Sequence, residues 1–286
     1  MQPIKNGPIS LLFWLSLWLI SAPAQATDVR VCQAEPGRYS YRMDLARLLL
    51  ARTANSGEVS RLLPHSPGPD PTQQRCVALL REQAVDLVYL PPSDALLNEF
   101  AAIKIDLHKG MLGYRLLLIN KKDAALFARV KTLDDLRQLT AGFGQQWADF
   151  PMFERNRLPV VGVAQPNTLL QMLERERFHY FHRGLHEAWV ELEQNPQLAK
   201  LMVEAHLALA YPFPVYFMFN PKNQALKQRF ERGFELIQAD GSFDALFMHE
   251  FGALARRARL PSRTLIAIDF PIPANLPAVD SRLWLK

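Results

Sequence analysis

Residues 215–241 read VYFMFNPKNQALKQRFERGFELIQADG. Val215 to Phe219 is an unbroken apolar run of strand length, and Asn220-Pro221 stops it. From 223 to 238 the apolar residues, Leu226 and Phe230 among them, recur at helical spacing, and Asp240-Gly241 supplies a turn before a second helix over 243–255. Immediately upstream, Tyr211-Pro212-Phe213-Pro214 is too stiff for either element and reads as a crossing between two parts of the molecule.

Working outward from this stretch, short apolar runs alternate with helical periods along most of the chain, which argues for α/β layering. Strands are expected at 29–32, 59–63, 86–89 and 103–107, with helices at 41–53 and 71–82 and breaks at 64–69 and Pro91-Pro92-Ser93. A second block opens on the strand 113–119. Thr132 caps a helix over 133–139 with Asp134 and Asp135 in its first turn, where the helix dipole favours acids. Strands at 141–143, 159–163 and 178–181, helices at 147–156, 168–176 and 185–193, and an extended stretch at 201–209 complete that block. The tail holds Pro261, Pro271, Pro273 and Pro277, too many for a long helix or a central strand, and is expected to wrap the first lobe.

Composition sets the outer limits. With 286 residues, 49% hydrophobic and 21% charged, disorder and fibrous structure are excluded, and one large or two medium domains can bury a core. The net charge of +5 is small and its basic residues are scattered, so a nucleic-acid partner is not expected. Residues 1–26 carry a single charge, Lys5, then an apolar run from Leu11 to Ile20 and the small-residue ending Ala24-Gln25-Ala26. That order predicts a cleaved secretory signal with the cut after Ala26, and hence export to the periplasm. Export makes a bridge between Cys32 and Cys76, the chain's 2 cysteines, the expected state, with two buried free thiols as the alternative.

The segments that carry most recognition are Thr72-Gln73-Gln74-Arg75 through Leu79-Leu80 into Val85-Asp86-Leu87-Val88, then Ile103-Lys104-Ile105-Asp106-Leu107 running into Gly113-Tyr114-Arg115-Leu116, and the opening stretch itself. In order and spacing they resemble the type II periplasmic solute-binding proteins, specifically the bacterial extracellular solute-binding protein family 3. The resemblance implies a two-lobed α/β fold, each lobe a small sheet flanked by helices, with residues 27–110 plus 211–286 as lobe 1 and 111–210 as lobe 2, joined by crossings near 107–113 and 209–214. It implies a monomer without cofactor that closes on a small solute and does no chemistry, with an inner-membrane permease or a membrane receptor as partner. Amino-acid binders of this family clamp the solute carboxylate with an arginine before the first crossing and take the ammonium on an acid in lobe 2. Asn98-Glu99 and His182-Arg183-Gly184 stand at those places here, which points to a polar, anionic solute rather than an ordinary amino acid.

The candidate ligand residues are Tyr89, Arg115, Gln145, Gln146, Trp147, Arg183 and Glu187. Gly144-Gln145-Gln146-Trp147 is expected to open a helix directly after a strand, where free N–H groups could meet an anion, or simply to start that helix. Arg183 either reaches the ligand or pairs with Glu187 one turn on. Arg115 lies in an apolar strand and needs a partner, ligand or structural. Tyr89 and Trp147 are aromatic walls or core. His179, His182 and His186 lack the spacing and the further ligands of a metal site, so no metal is expected. A dehydratase-like enzyme on the same fold is the alternative from a different class, with Glu187 or Asp149 as its general acid.

Overall fold

The computed structural model describes residues 26–65, 68–274, 276–278 and 285. The expected signal segment lies outside the described residues except for Ala26, which opens the first strand.

Lobe 1 is built around two small sheets. In the first, β1 (Ala26–Val31) runs parallel to β2 (Val59–Pro64). Between them, α1 (Ser40–Arg52) buries Tyr41, Met43, Leu45, Ala46, Leu49 and Leu50. The helix α2 (Gln73–Arg81) starts where the Thr72 hydroxyl accepts the Arg75 N–H, satisfying a free donor of its first turn. It leads through Leu87, which bridges to Val31, into β3 (Val88–Leu90). Ser93 caps α3 (Asp94–Glu99) in the same way, and β4 (Ala101–Ile103) follows.

Lobe 2 is built on a seven-stranded sheet whose centre is β5 (Tyr114–Asn120), buried from Arg115 to Asn120. Burial on both faces explains why its sequence is continuously apolar rather than alternating. Its other elements, in chain order, are α4 (Ala124–Phe127), α5 (Leu133–Leu136), β6 (Ala141–Gly144), α6 (Met152–Arg155), β7 (Val160–Val163), α7 (Leu169–Glu174), β8 (Tyr180–Gly184), α8 (Leu185–Glu193), β9 (Leu201–Val203) and β10 (Leu207–Ala210). The expected Thr132 cap is present as a reciprocal capping box with Asp135.

The stretch quoted at the outset then returns the chain. β11 (Tyr216–Phe219) enters between β3 and β4, antiparallel to both. The helix α9 (Gln224–Ala239) packs on α1, with Gly233 so close that a Cβ there would meet the Leu49 carbonyl oxygen at 3.1 Å. The Asp240-Gly241 turn, with Gly241 at φ +76°, leads into α10 (Ser242–Ala258). Between the lobes the two crossing segments are tied to each other: Leu107 N–H donates to Val215 O at 3.1 Å and Tyr211 N–H to Gly113 O at 2.9 Å. Gly113 is required at this contact, because a Cβ would sit 2.7 Å from the Tyr211 carbonyl oxygen.

Four expectations need correction. The tail reaches lobe 1 only near its end, where Leu276 packs on the Cys32–Cys76 cluster; before that, β12 (Thr264–Ala267) pairs in parallel with β10 at the edge of the large sheet. Asp269 then meets Arg155 at 2.7 Å and exchanges hydrogen bonds with Asn156. Prolines 261 and 271 flank this strand without entering it, and Ile266 and Ile268 bury alternate positions against lobe 2. The helix expected over 147–156 shrinks to Met152–Arg155, since residues 145–150 form turns ahead of Pro151. Arg183, expected just beyond a strand end, lies within β8, and the extended stretch 201–209 is two strands, β9 and β10.

Candidate functional site

On the lobe 1 side, aromatic rings and guanidinium groups gather at the start of α1. Tyr39 and Tyr89 place their ring centroids 5.4 Å apart, and the guanidinium carbon of Arg42 stands 5.3 Å from the first and 5.0 Å from the second. Arg38 adds a second guanidinium 5.3 Å from the Tyr39 ring. Tyr89 is fixed by donating its hydroxyl proton to the Gln33 carbonyl. The only directed partner of Arg42 among the described residues is His108, on the first crossing: Arg42 Nε donates to His108 Nε2 at 3.3 Å. No carboxylate of the described residues comes within ion-pair distance of Arg42, and burial lowers the pKa of its guanidinium. An arginine between two aromatic faces gains cation–π attraction but keeps its planar fork free for an anion.

Lobe 2 supplies the opposite wall. Arg183 projects from β8 and stacks over Trp147 and Phe181, its guanidinium carbon 5.1 and 5.2 Å from their rings. It pairs with Glu187 at 2.7 Å and also with Glu191, both on α8. Glu187 accepts the Gly184 N–H at 3.0 Å, closing the first turn of that helix. Burial alone would raise the Glu187 carboxyl, but the Arg183 charge, with His186, Arg115 and the Gly184 N–H, holds it well below the usual range. The walls sense each other: Glu187 acts on Arg42 and Tyr39, and Arg38 on Glu191. Beside them the His108 and His186 rings stack at 6.5 Å, with Phe251 of α10 against both.

The expected residues therefore separate into three groups. Trp147, Arg183 and Glu187 cluster on one wall, and Tyr89 stands on the other. Gln145 and Gln146 are exposed on the turn after β6, and the four-residue α6 does not begin there, so the helix start expected to meet an anion is absent. Arg115 has a structural partner set of its own. Its Nε donates to the Tyr211 hydroxyl at 2.8 Å, which donates in turn to Asp149 at 2.8 Å, while its guanidinium lies over Phe213 at 4.7 Å. This network sits where the lobes join and gives Arg115 protein partners at Nε and, at 3.4 Å, at Nη2. Burial opposes the charge on Asp149, yet His182, Arg115 and Tyr211 together keep its carboxyl below the ordinary value.

Arg42, Tyr39 and His108 went unnoticed in the sequence. The signal was Arg38-Tyr39-Ser40-Tyr41-Arg42, two arginines and two tyrosines in five residues at the head of a helix whose apolar face drew attention from Met43 onward. Two grooves elsewhere, one of about 570 Å³ between Ile103–Ile105 and α9 and one of about 520 Å³ along α7, each belong to a single lobe, so lobe closure would not shape them. Among the described residues no group of His, Cys, Asp and Glu could hold a metal ion, and no helix is long and apolar enough to cross a membrane. Cys32 and Cys76 form a disulfide, with a Cα separation of 5.6 Å.

No family model and no curated protein matches this sequence. Solved structures do. A probable amino-acid ABC transporter extracellular-binding protein, ytmK from Bacillus subtilis, superposes with a TM-score of 0.58 at 15% identity, covering 80% of this chain and 98% of that one. An ancestral arginine-binding protein bound to arginine gives 0.56 at 14% identity over 81% and 100%. A histidine kinase sensor domain with similarity to periplasmic binding proteins gives 0.54 at 14% identity over 80% and 97%. The fold is that of the two-lobed periplasmic binding proteins, as the sequence resemblance implied.

Proposed function

We propose that this chain is a periplasmic binding protein that closes its two lobes on a small carboxylate-bearing, overall anionic solute and presents it to a membrane transporter. The division into lobe 1, residues 27–110 with 211–263, and lobe 2, residues 111–210 with the 264–270 strand, belongs to the same proposal, as do cleavage after Ala26 and a monomeric state. The observation that carries it is Arg42: a guanidinium between two tyrosines, within electrostatic reach of Glu187 on α8, with no carboxylate ion pair among the described residues. A carboxylate placed there would make a bidentate, charge-assisted pair in a partly dehydrated site. Arginine and glutamine, named as ligands of structural neighbours, both carry such a carboxylate. A cationic end is disfavoured here, because Arg38 and Arg42 occupy one wall and both acids of the other are engaged by Arg183. Closure is favoured by contacts that exist only when both walls touch the solute.

A receptor-docking sensor is the second reading, supported by the likeness to a histidine kinase sensor domain. The dehydratase-like alternative is weakened by charge. Glu187 and Asp149 are both held below the ordinary carboxyl range, so neither offers the protonated acid that reaction needs. The test is a thermal-shift screen of the mature chain against dicarboxylates, amino acids, phosphate and polyamines. A solute at 100 times its Kd adds about 2.7 kcal/mol, or roughly 5–10 °C. Carboxylates should produce such a shift and Arg42→Ala should remove it. A shift from polyamines alone, or one that survives Arg42→Ala, overturns the proposal.

A further inference from the structure

One ring contact joins the two lobes beside the proposed solute wall. His108 lies on the first crossing segment and His186 on α8 of lobe 2, and their rings are stacked at 6.5 Å and 29°. Phe251 closes the cluster from α10, 6.0 Å from the first ring and 6.2 Å from the second. His108 is 3% exposed, and Nδ1 of each ring is buried without a hydrogen-bond partner. Because Arg42 Nε–H donates to His108 Nε2, that nitrogen must offer a lone pair, so His108 is neutral with its proton on Nδ1. A second proton could go only to the nitrogen that faces the guanidinium.

We propose that His108 and His186 form a proton-sensitive latch between the two lobes, joining them while both rings are neutral and releasing them in acid. The charged groups around the pair fit this assignment. Arg42 of α1, Arg115 of β5 and Arg183 of β8 all oppose a cation on His186, and Arg42 and Arg115 oppose one on His108. Glu187 of α8 favours a cation on His186 but is tied to Arg183, and Asp106 is spent on the backbone N–H groups of His108, Gly110 and Val215. Tyr41 of α1 sets its ring 5.3 Å from that of His108 with its hydroxyl donated to the Leu107 carbonyl, and from α10 the uncharged Phe251 meets both rings. In an opened molecule both imidazoles meet water and regain ordinary basicity.

Burial and these charges push His186 from 6.5 down to about 4. A depressed histidine favours the joined state fully above its ordinary value and loses that advantage as pH falls toward the depressed one. Between pH 7.5 and pH 5 the ratio of joined to open molecules should therefore fall about 30-fold through His186 alone. The latch concerns the lobe contact itself and stands apart from which solute binds.

The experiment is small-angle X-ray scattering of the solute-free mature chain from pH 7.5 to 4.5, with far-UV circular dichroism on the same samples. The wild type should expand with a midpoint between pH 6.5 and 4 while its helix signal is constant. His186→Phe and, separately, His186→Leu, each lacking the imidazole that carries the 30-fold change, should stay more compact than the wild type at pH 5, and His179→Gln, outside the cluster, should expand like the wild type. Two latch variants are used so that misfolding of one leaves the other decisive. A wild type of constant dimensions, latch variants that expand with it, or expansion accompanied by loss of helix would each overturn the proposal.

Discussion

Removing the Cys32–Cys76 cross-link should lower the stability of the mature protein by about 4 kcal/mol. The bridge closes a loop with a sequence separation of 44, and the chain-entropy relation gives that figure at 25 °C for such a loop. The loop contains α1 and β2, so the loss falls on lobe 1, which carries the Arg42 wall. Both sulfurs are buried in a cluster with Leu79, Leu80, Val88 and Tyr216, so reductants should reach them only when the lobe opens. Urea unfolding followed by circular dichroism, comparing oxidised with fully reduced wild type, isolates the cross-link. Cys32→Ala/Cys76→Ala should fall at or below the reduced protein, because it also removes packed atoms. Oxidised and reduced proteins that unfold within 1 kcal/mol of each other would refute the reasoning.

Three further outcomes follow from the buried charges. Asp149→Asn leaves Arg115 without its counter-charge while the Tyr211 hydroxyl remains. It should cost about 3 kcal/mol, the lower end for breaking a buried pair, since Arg115 Nη2 meets Asp149 at a loose 3.4 Å. The Asp149 carboxyl is depressed below 3.8, so its contribution is present above that pH and is lost as pH falls through the lower folded value. Acid unfolding of Asp149→Asn should accordingly be flatter below pH 4 than that of the wild type. Arg183→Ala releases Glu187 and Glu191 into the crevice and should switch the thermal-shift preference from carboxylates to polyamines, by at least tenfold in apparent affinity.

The layered α/β arrangement was legible because buried strands such as 113–119 and amphipathic helices such as 41–53 leave period and length in the sequence. The return of 215–241 to the first lobe was legible only through resemblance, since local pattern does not say which sheet a strand joins. β12 was missed because four prolines in the tail masked the proline-free run 264–268, whose partner lies more than fifty residues upstream on β10. At the site, Trp147, Arg183 and Glu187 could be found because they adjoin strand ends in the sequence. Arg115 looked like a ligand residue, but its partners Asp149 and Tyr211 are distant along the chain and meet it only in three dimensions. Arg42 was hidden for the opposite reason: it sits in a helix whose neighbours are core, and its proposed role shows only in what fails to pair with it.

Hydrogen–deuterium exchange of the mature chain with and without its identified solute tests the two-walled crevice most directly. Exchange should slow together at residues 38–42 and 88–92 of lobe 1 and at 181–191 of lobe 2, because a solute clamped between the walls orders both. Slowing confined to one lobe, or centred on 103–105 and 228–238 or on 161–177, would contradict the account.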